Sequence, residues 1–108
     1  MYENLTRVTE TVVLPTKDLD RVSPTGTAIQ NARETVLSNR LSRDGFHLSY
    51  DIGRYIAGLI FYRALTGASI DGVTWMPEGV TEEDRAIAIR AANLAIDRPF
   101  AISPMELP

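Results

Sequence analysis

A chain of 108 residues has material for one small domain and not for two. Hydrophobic residues at 44% and charged ones at 23% are ordinary for a globular chain, and a net charge of -3 gives no reason to expect nucleic acid or an anionic membrane surface as a partner. The absence of cysteine removes disulfides, thiolate chemistry and Cys-based zinc sites, and no apolar run is long enough to span a bilayer. No leader with a basic start and an apolar middle opens the sequence, which leaves the compartment open, since a signal peptide would lie upstream.

Leu5, Val8 and Val12 recur at helical spacing and predict an amphipathic first helix, stopped by Pro15. Lys17 to Asp20 reads as a turn, and Arg21-Val22-Ser23 as one short strand ending at Pro24. A second helix is expected over Ala28 to Glu34, capped by Thr25 or Thr27. Thr35 to Ser42 reads as a polar connection anchored by Val36, Leu37 and Leu41. Ser49 is the expected cap of a third helix running to about Leu65, with Asp51 in its first turn. That helix is apolar nearly all round, the pattern of a buried element. Gly53 and Gly58 weaken it, for which close approach to a neighbour is the expected return, and Thr66-Gly67 ends it. Ala68 to Val80 has turn chemistry, with Trp75 and Met76 placed to pin the loop. Thr81-Glu82-Glu83-Asp84 starts a fourth helix that runs to about Ile96, followed by an extended or loosely packed tail holding Pro99, Pro104 and Pro108. Four helices and at most one strand leave the central helix little to bury itself against. The pattern predicts a piece of something larger, or a chain that assembles with its own copies.

Asp44 and His47 carry the sharpest chemical signal. His47 is the sole histidine, and an acid three residues before it can lie on the same side of one tight turn. The carboxylate then fixes the imidazole while the other ring nitrogen faces a substrate, two thirds of a serine triad. The plainer reading is a structural turn in which Asp44 accepts backbone N–H bonds. A metal site ranks third, because one histidine and scattered carboxylates fall short of a ligand set.

The block Asp44-Gly45-Phe46-His47-Leu48-Ser49 followed by Gly53-Arg54-Tyr55 resembles the last conserved block of the SGNH (GDSL-type) hydrolases. Pro24 to Arg33 and Thr66-Gly67 are similar to flanking segments of a bacterial subgroup of SGNH-like proteins, so the likeness runs from about Met1 to Gly67. The resemblance implies an α/β fold, a three-layer α/β/α sandwich with a parallel sheet, of which residues 1–108 are one partial, mostly helical C-terminal portion. Arg21-Val22-Ser23 becomes the last strand, and residues 68–108 add a helix and tail. It implies His47 as general base and Asp44 as its orienting partner in ester hydrolysis, with acetylated carbohydrate as a substrate by analogy and no cofactor or metal. The family's nucleophilic serine and oxyanion donors have no counterpart here, since none of the six serines sits in that context. The resemblance therefore implies that the chain alone is inactive and completes its site with a missing N-terminal part.

Arg33 and Arg43 are candidates for substrate carboxylate or phosphate, by guanidinium's bidentate geometry, or else ordinary surface arginines. Gln30 and Asn31 line a site or face solvent. Tyr55, Phe61 and Tyr62 read as packing, and Trp75 as a core anchor or the rim of a sugar or acyl site. A reading from another class is a non-catalytic helical interaction module that forms homo-oligomers through its apolar central helix.

Overall fold

The computed structural model describes residues 1–105; Pro108 of the expected tail lies outside them. Helices α2 (Thr25–Arg33), α3 (Ile52–Thr66) and α4 (Glu82–Asp97) pack against one another in all three pairings, preceded by a short α1 (Tyr2–Val8). Ile52, Ile56 and Ile60 of α3 meet Ala28 and Ala32 of α2 and Ala88, Ala91, Ala92 and Ala95 of α4 in one core. Alanine faces let two helix backbones come close, and the branched side chains of α3 fill the seam. Each such isoleucine contributes roughly 1.5–3 kcal/mol by burial. Leu37, Leu41, Tyr55, Leu59, Ile70, Val80 and Ile87 complete the core. The central helix thus finds its cover inside the chain. The expectation of burial all round fails only on the side of Phe61, Tyr62 and Leu65, which are exposed.

Helix ends follow side-chain chemistry, with two shifts from expectation. Asp51, not Ser49, caps α3, its Oδ1 accepting from the Ile52 N–H at 2.7 Å; the Ser49 hydroxyl accepts from Gly53 N–H at 2.8 Å. Pro24, not a threonine, stands at the cap of α2. Thr27 is spent elsewhere: its hydroxyl donates to the Pro99 carbonyl at 2.6 Å and takes the Tyr2 hydroxyl at 2.9 Å. Gly67 closes α3 at φ 72°, where a Cβ is costly. Thr81 and Asp84 form the expected capping box at the start of α4.

The N-terminal arm holds Leu5, Val8 and Val12 in solvent, so their spacing marks a helix but not a buried face. After α1 the chain widens into a π-helical turn over Thr9–Val13, and the hydroxyls of Thr9 and Thr11 bond back to the carbonyls four residues earlier. Arg21-Val22-Ser23 forms no strand, because nothing pairs with it; among the described residues the single β contact is a bridge between Ser42 and Leu48. The domain is mostly helical. Val36 is exposed rather than an anchor, whereas Leu37 and Leu41, flanking the 3-10 turn Ser38–Leu41 at its two ends, are buried. The tail is pinned, not loose: the buried Asn31 accepts from Ser103 N–H at 2.7 Å and donates to the Ala91 carbonyl at 3.2 Å. No helix is long and apolar enough to cross a membrane among the described residues.

The two α3 glycines separate. A Cβ on Gly53 would lie 2.5 Å from the Leu41 carbonyl oxygen and 2.9 Å from the Ser49 hydroxyl, so close approach explains this one. A Cβ on Gly58 would meet nothing within 4 Å, against expectation.

Candidate active site

The loop from Ser42 to Leu48 leaves the body between the 3-10 turn and α3. Its base is closed by Ser49 N–H donating to the Leu41 carbonyl and Arg43 N–H to the His47 carbonyl, both at 2.9 Å. At the turn, Gly45 takes φ 81° and donates its N–H to the Ser42 hydroxyl at 2.7 Å. Asp44 Oδ1 accepts from the backbone N–H groups of Phe46 at 2.9 Å and His47 at 2.7 Å. That is an Asx-type turn, and it aims the second carboxylate oxygen at the ring.

Asp44 Oδ2 lies 2.7 Å from His47 Nδ1. The acid accepts, so Nδ1 carries a proton, and in the neutral ring the lone pair falls to Nε2. Among the described residues nothing bonds Nε2. Both side chains stand about half exposed, at 51% for the acid and 55% for the imidazole. The ring bond, followed by the two backbone N–H bonds, holds the Asp44 carboxyl well below the usual carboxylate range. Phe46, 85% exposed, meets the imidazole edge-on at 4.9 Å between centroids. The structural turn and the acid–imidazole pair are therefore one object, and the two readings of the sequence are not exclusive.

A cleft of about 470 Å³ is lined by Gln30, Arg33, Arg43, Asp44 and His47, which brings these five candidates of the sequence to one place, without Asn31 or Trp75. Their availability differs. Arg43 donates through Nε to the Leu48 carbonyl at 3.0 Å and through a terminal nitrogen to the Tyr50 hydroxyl at 2.5 Å, so it braces the loop. Among the described residues Arg33 and Gln30 have no side-chain hydrogen bond. Asn31 is buried between α2, α4 and the tail and lines no site. Ser38, at φ 35°, and Ser42 share the cleft, but no serine bonds the imidazole. Among the described residues no group of three His, Asp or Glu could hold a metal ion.

A second cleft, of about 670 Å³, lies along α3 under the 68–80 loop and is lined by Tyr50, Arg54, Tyr55, Tyr62 and Trp75 among others. Helical spacing reads Tyr55 and Tyr62 as packing, Arg54 enters only within the resemblance block, and Tyr50 has no assigned role. A helix that places tyrosines around a glycine at position 58 carries the signal, but the loop that completes the cleft is remote in sequence.

A small helical body with an acid–imidazole pair on the rim of a cleft is the class of protein these features define. The chain belongs to a family described as "Domain of unknown function (DUF4886)", whose profile matches residues 1–95. It is similar to a solved DUF4886 family protein from Bacteroides uniformis ATCC 8492, at 32% sequence identity and a TM-score of 0.85, over 96% of this chain. The chain spans 40% of that protein's length. A search of curated proteins returns no match.

Proposed function

We propose that Asp44 and His47 are the acid and base of a serine hydrolase acting on acyl esters, with the nucleophile supplied from outside residues 1–108. The single observation that carries this reading is the 2.7 Å Asp44–His47 bond, which leaves Nε2 unengaged at the rim of a cleft. In this reading Nε2 takes the proton of a serine hydroxyl as it attacks the ester carbonyl, and then returns it to the leaving alkoxide. Asp44 holds the ring in the required tautomer and stabilises the imidazolium. The acid is already bonded by two backbone N–H groups, so the ring needs no reorganisation to start. Arg33 is the cation available for a charged acyl or alcohol group. The SGNH resemblance supplies the matching sandwich fold as part of the same proposal.

The test is hydrolysis of p-nitrophenyl acetate by the complete gene product that carries this chain. His47→Ala lowers kcat by roughly 10²- to 10⁴-fold, and Asp44→Asn by a comparable factor, with unchanged helical circular dichroism because both side chains lie on an exposed loop. Equal rates in wild type and His47→Ala would remove the role given to the imidazole.

The interaction-module reading has one observation in its favour, the exposure of Phe61 and Leu65 on α3. Sedimentation equilibrium decides it: a concentration-dependent dimer that Leu65→Lys disperses supports it, and a monomer of 12.0 kDa at all concentrations ends it.

A further inference from the structure

The cleft along α3 is built differently from the one at His47. Trp75 stands 68% exposed, yet it does not sit on a loose loop. Ile70 and Val80 on either side of it are buried, Arg85 donates through Nε to the Val73 carbonyl at 2.9 Å, and Asn93 donates to Asp71 at 2.7 Å. The indole stands in water on this anchored loop, tilted against the Tyr55 ring at 6.2 Å between centroids. Tyr50 is similarly exposed and is flattened between two guanidinium groups, Arg43 at 4.3 Å and Arg54 at 4.4 Å from its ring centroid. Gly58 gives the cleft its depth, since a side chain there would enter open space. The volume, about 670 Å³, is in the range of small-ligand sites.

The lining selects the chemistry. Asp51 and Arg54 are the charged residues of the lining, one of each sign, so the cleft has no net charge to offer an ion. Tyr55 lines it with its ring, while its hydroxyl is buried beside the Arg85 guanidinium. Flat aromatic faces, a carboxylate acceptor and a guanidinium donor together suit a neutral, ring-shaped, polyhydroxylated molecule. Its C–H faces stack on indole and phenol rings while its hydroxyls bond the polar groups.

We infer that this cleft is a carbohydrate-binding site, with Trp75 and Tyr62 as stacking platforms and Asp51 and Arg54 as hydroxyl partners. The site holds whether or not the Asp44–His47 pair is catalytic, because it is read by binding and not by turnover. Trp75 is the chain's sole tryptophan, so its fluorescence reports occupancy directly. The chain is titrated with cellotetraose, xylotetraose and chitotetraose, and in parallel with choline and with 1-anilinonaphthalene-8-sulfonate. At least one oligosaccharide is expected to give a saturable change below about 10 mM. Gly58→Leu, which fills the cleft without a clash at its Cβ, weakens that binding at least about tenfold while raising thermal stability. Tyr62→Ala weakens it several-fold. Saturation by choline or the naphthalene dye alone, no response to any oligosaccharide, or binding unchanged in Gly58→Leu each overturns the assignment.

Discussion

One helix contains two glycines whose replacement by alanine should move stability in opposite directions. At Gly58 the new methyl group meets nothing within 4 Å, so only the intrinsic preference operates. Alanine is favoured over glycine in a helix interior by about 0.8–1 kcal/mol, and Gly58→Ala stabilises by that order. At Gly53 the same methyl would stand 2.5 Å from the Leu41 carbonyl oxygen, 2.9 Å from the Ser49 hydroxyl and 3.2 Å from the Leu48 Cβ. The first of these is backbone, already engaged by Ser49 N–H at 2.9 Å, and the hydroxyl caps Gly53 itself. Neither can swing aside as a flexible side chain would. Overpacking of this kind costs about 1–3 kcal/mol, and the helical gain near the first turn offsets only part of it. The two variants should therefore differ by roughly 2–3 kcal/mol. In urea, with a slope of roughly 1–2 kcal/mol/M for a domain of this size, their midpoints separate by at least about 1 M. Gly53→Ala should also loosen the loop base at Leu41–Ser49 and speed amide exchange at Ser49. A Gly53→Ala midpoint at or above that of wild type refutes the close approach between α3 and the 3-10 turn.

The remaining predictions concern polar groups. Asp84 receives both terminal nitrogens of Arg40, at 3.0 and 2.8 Å, and closes the α4 capping box. The Arg40 bond, ahead of the opposing effect of burial and the help of Thr81, holds the Asp84 carboxyl below its ordinary value of 3.8. A depressed folded-state value means stability present above about pH 4 and lost as pH falls through that lower value, so Asp84→Asn should flatten the acid limb of a Tm–pH curve. The same variant costs about 1–2 kcal/mol at neutral pH, since Arg40 is half exposed and water screens the pair. Asn31→Leu strands the Ser103 N–H in the interior, while the Ala91 carbonyl keeps its place in the α4 helix, and should cost about 1–3 kcal/mol in thermal unfolding, with the tail released to proteolysis first. For His47, ¹⁵N chemical shifts of the neutral ring should show the proton on Nδ1, and in Asp44→Ala a shift toward the Nε2-protonated form. Equal tautomer populations in both proteins would mean the acid does not set the ring.

What the sequence made legible is what a few neighbouring residues decide. Thr81 with Asp84, Gly67 at a left-handed stop and Asp44 with His47 are all fixed within one turn of chain, and each stands as expected. Thr27 was misread because its partner, the Pro99 carbonyl, is 72 residues away. The strand at Arg21–Ser23 failed for the same kind of reason: a strand exists only with a neighbour, and a β-rich tripeptide does not reveal one. Alanine is the least informative apolar residue in a pattern, yet the α2–α4 seam is built on it, so the cover of the central helix was invisible. Trp75, for which core anchoring was the plainer reading, is the most exposed aromatic of the second cleft because its neighbours Ile70 and Val80 took the core positions.

Arg43 shows how the two clefts become one problem. Sequence alone offers it as an anion receptor, but its donors are taken by the Leu48 carbonyl and the Tyr50 hydroxyl, and its plane rests on the Tyr50 ring. Tyr50 faces the aromatic cleft, and Arg43 faces the acid–imidazole cleft. This guanidinium–phenol contact therefore links the linings of the two clefts. Replacing Arg43 with lysine keeps the charge but loses the planar fork and the stacking. The link is then lost, which frees the Asp44–His47 loop and the Tyr50 ring together. If the two sites belong to one binding event, a sugar stacked on Trp75 and an ester presented to His47 lie on the same molecule, on either side of the Arg43–Tyr50 contact. Arg43→Lys then harms both readouts, whereas Tyr62→Ala, on the far side of the aromatic cleft, weakens sugar binding and leaves the rate on a small acetate ester untouched.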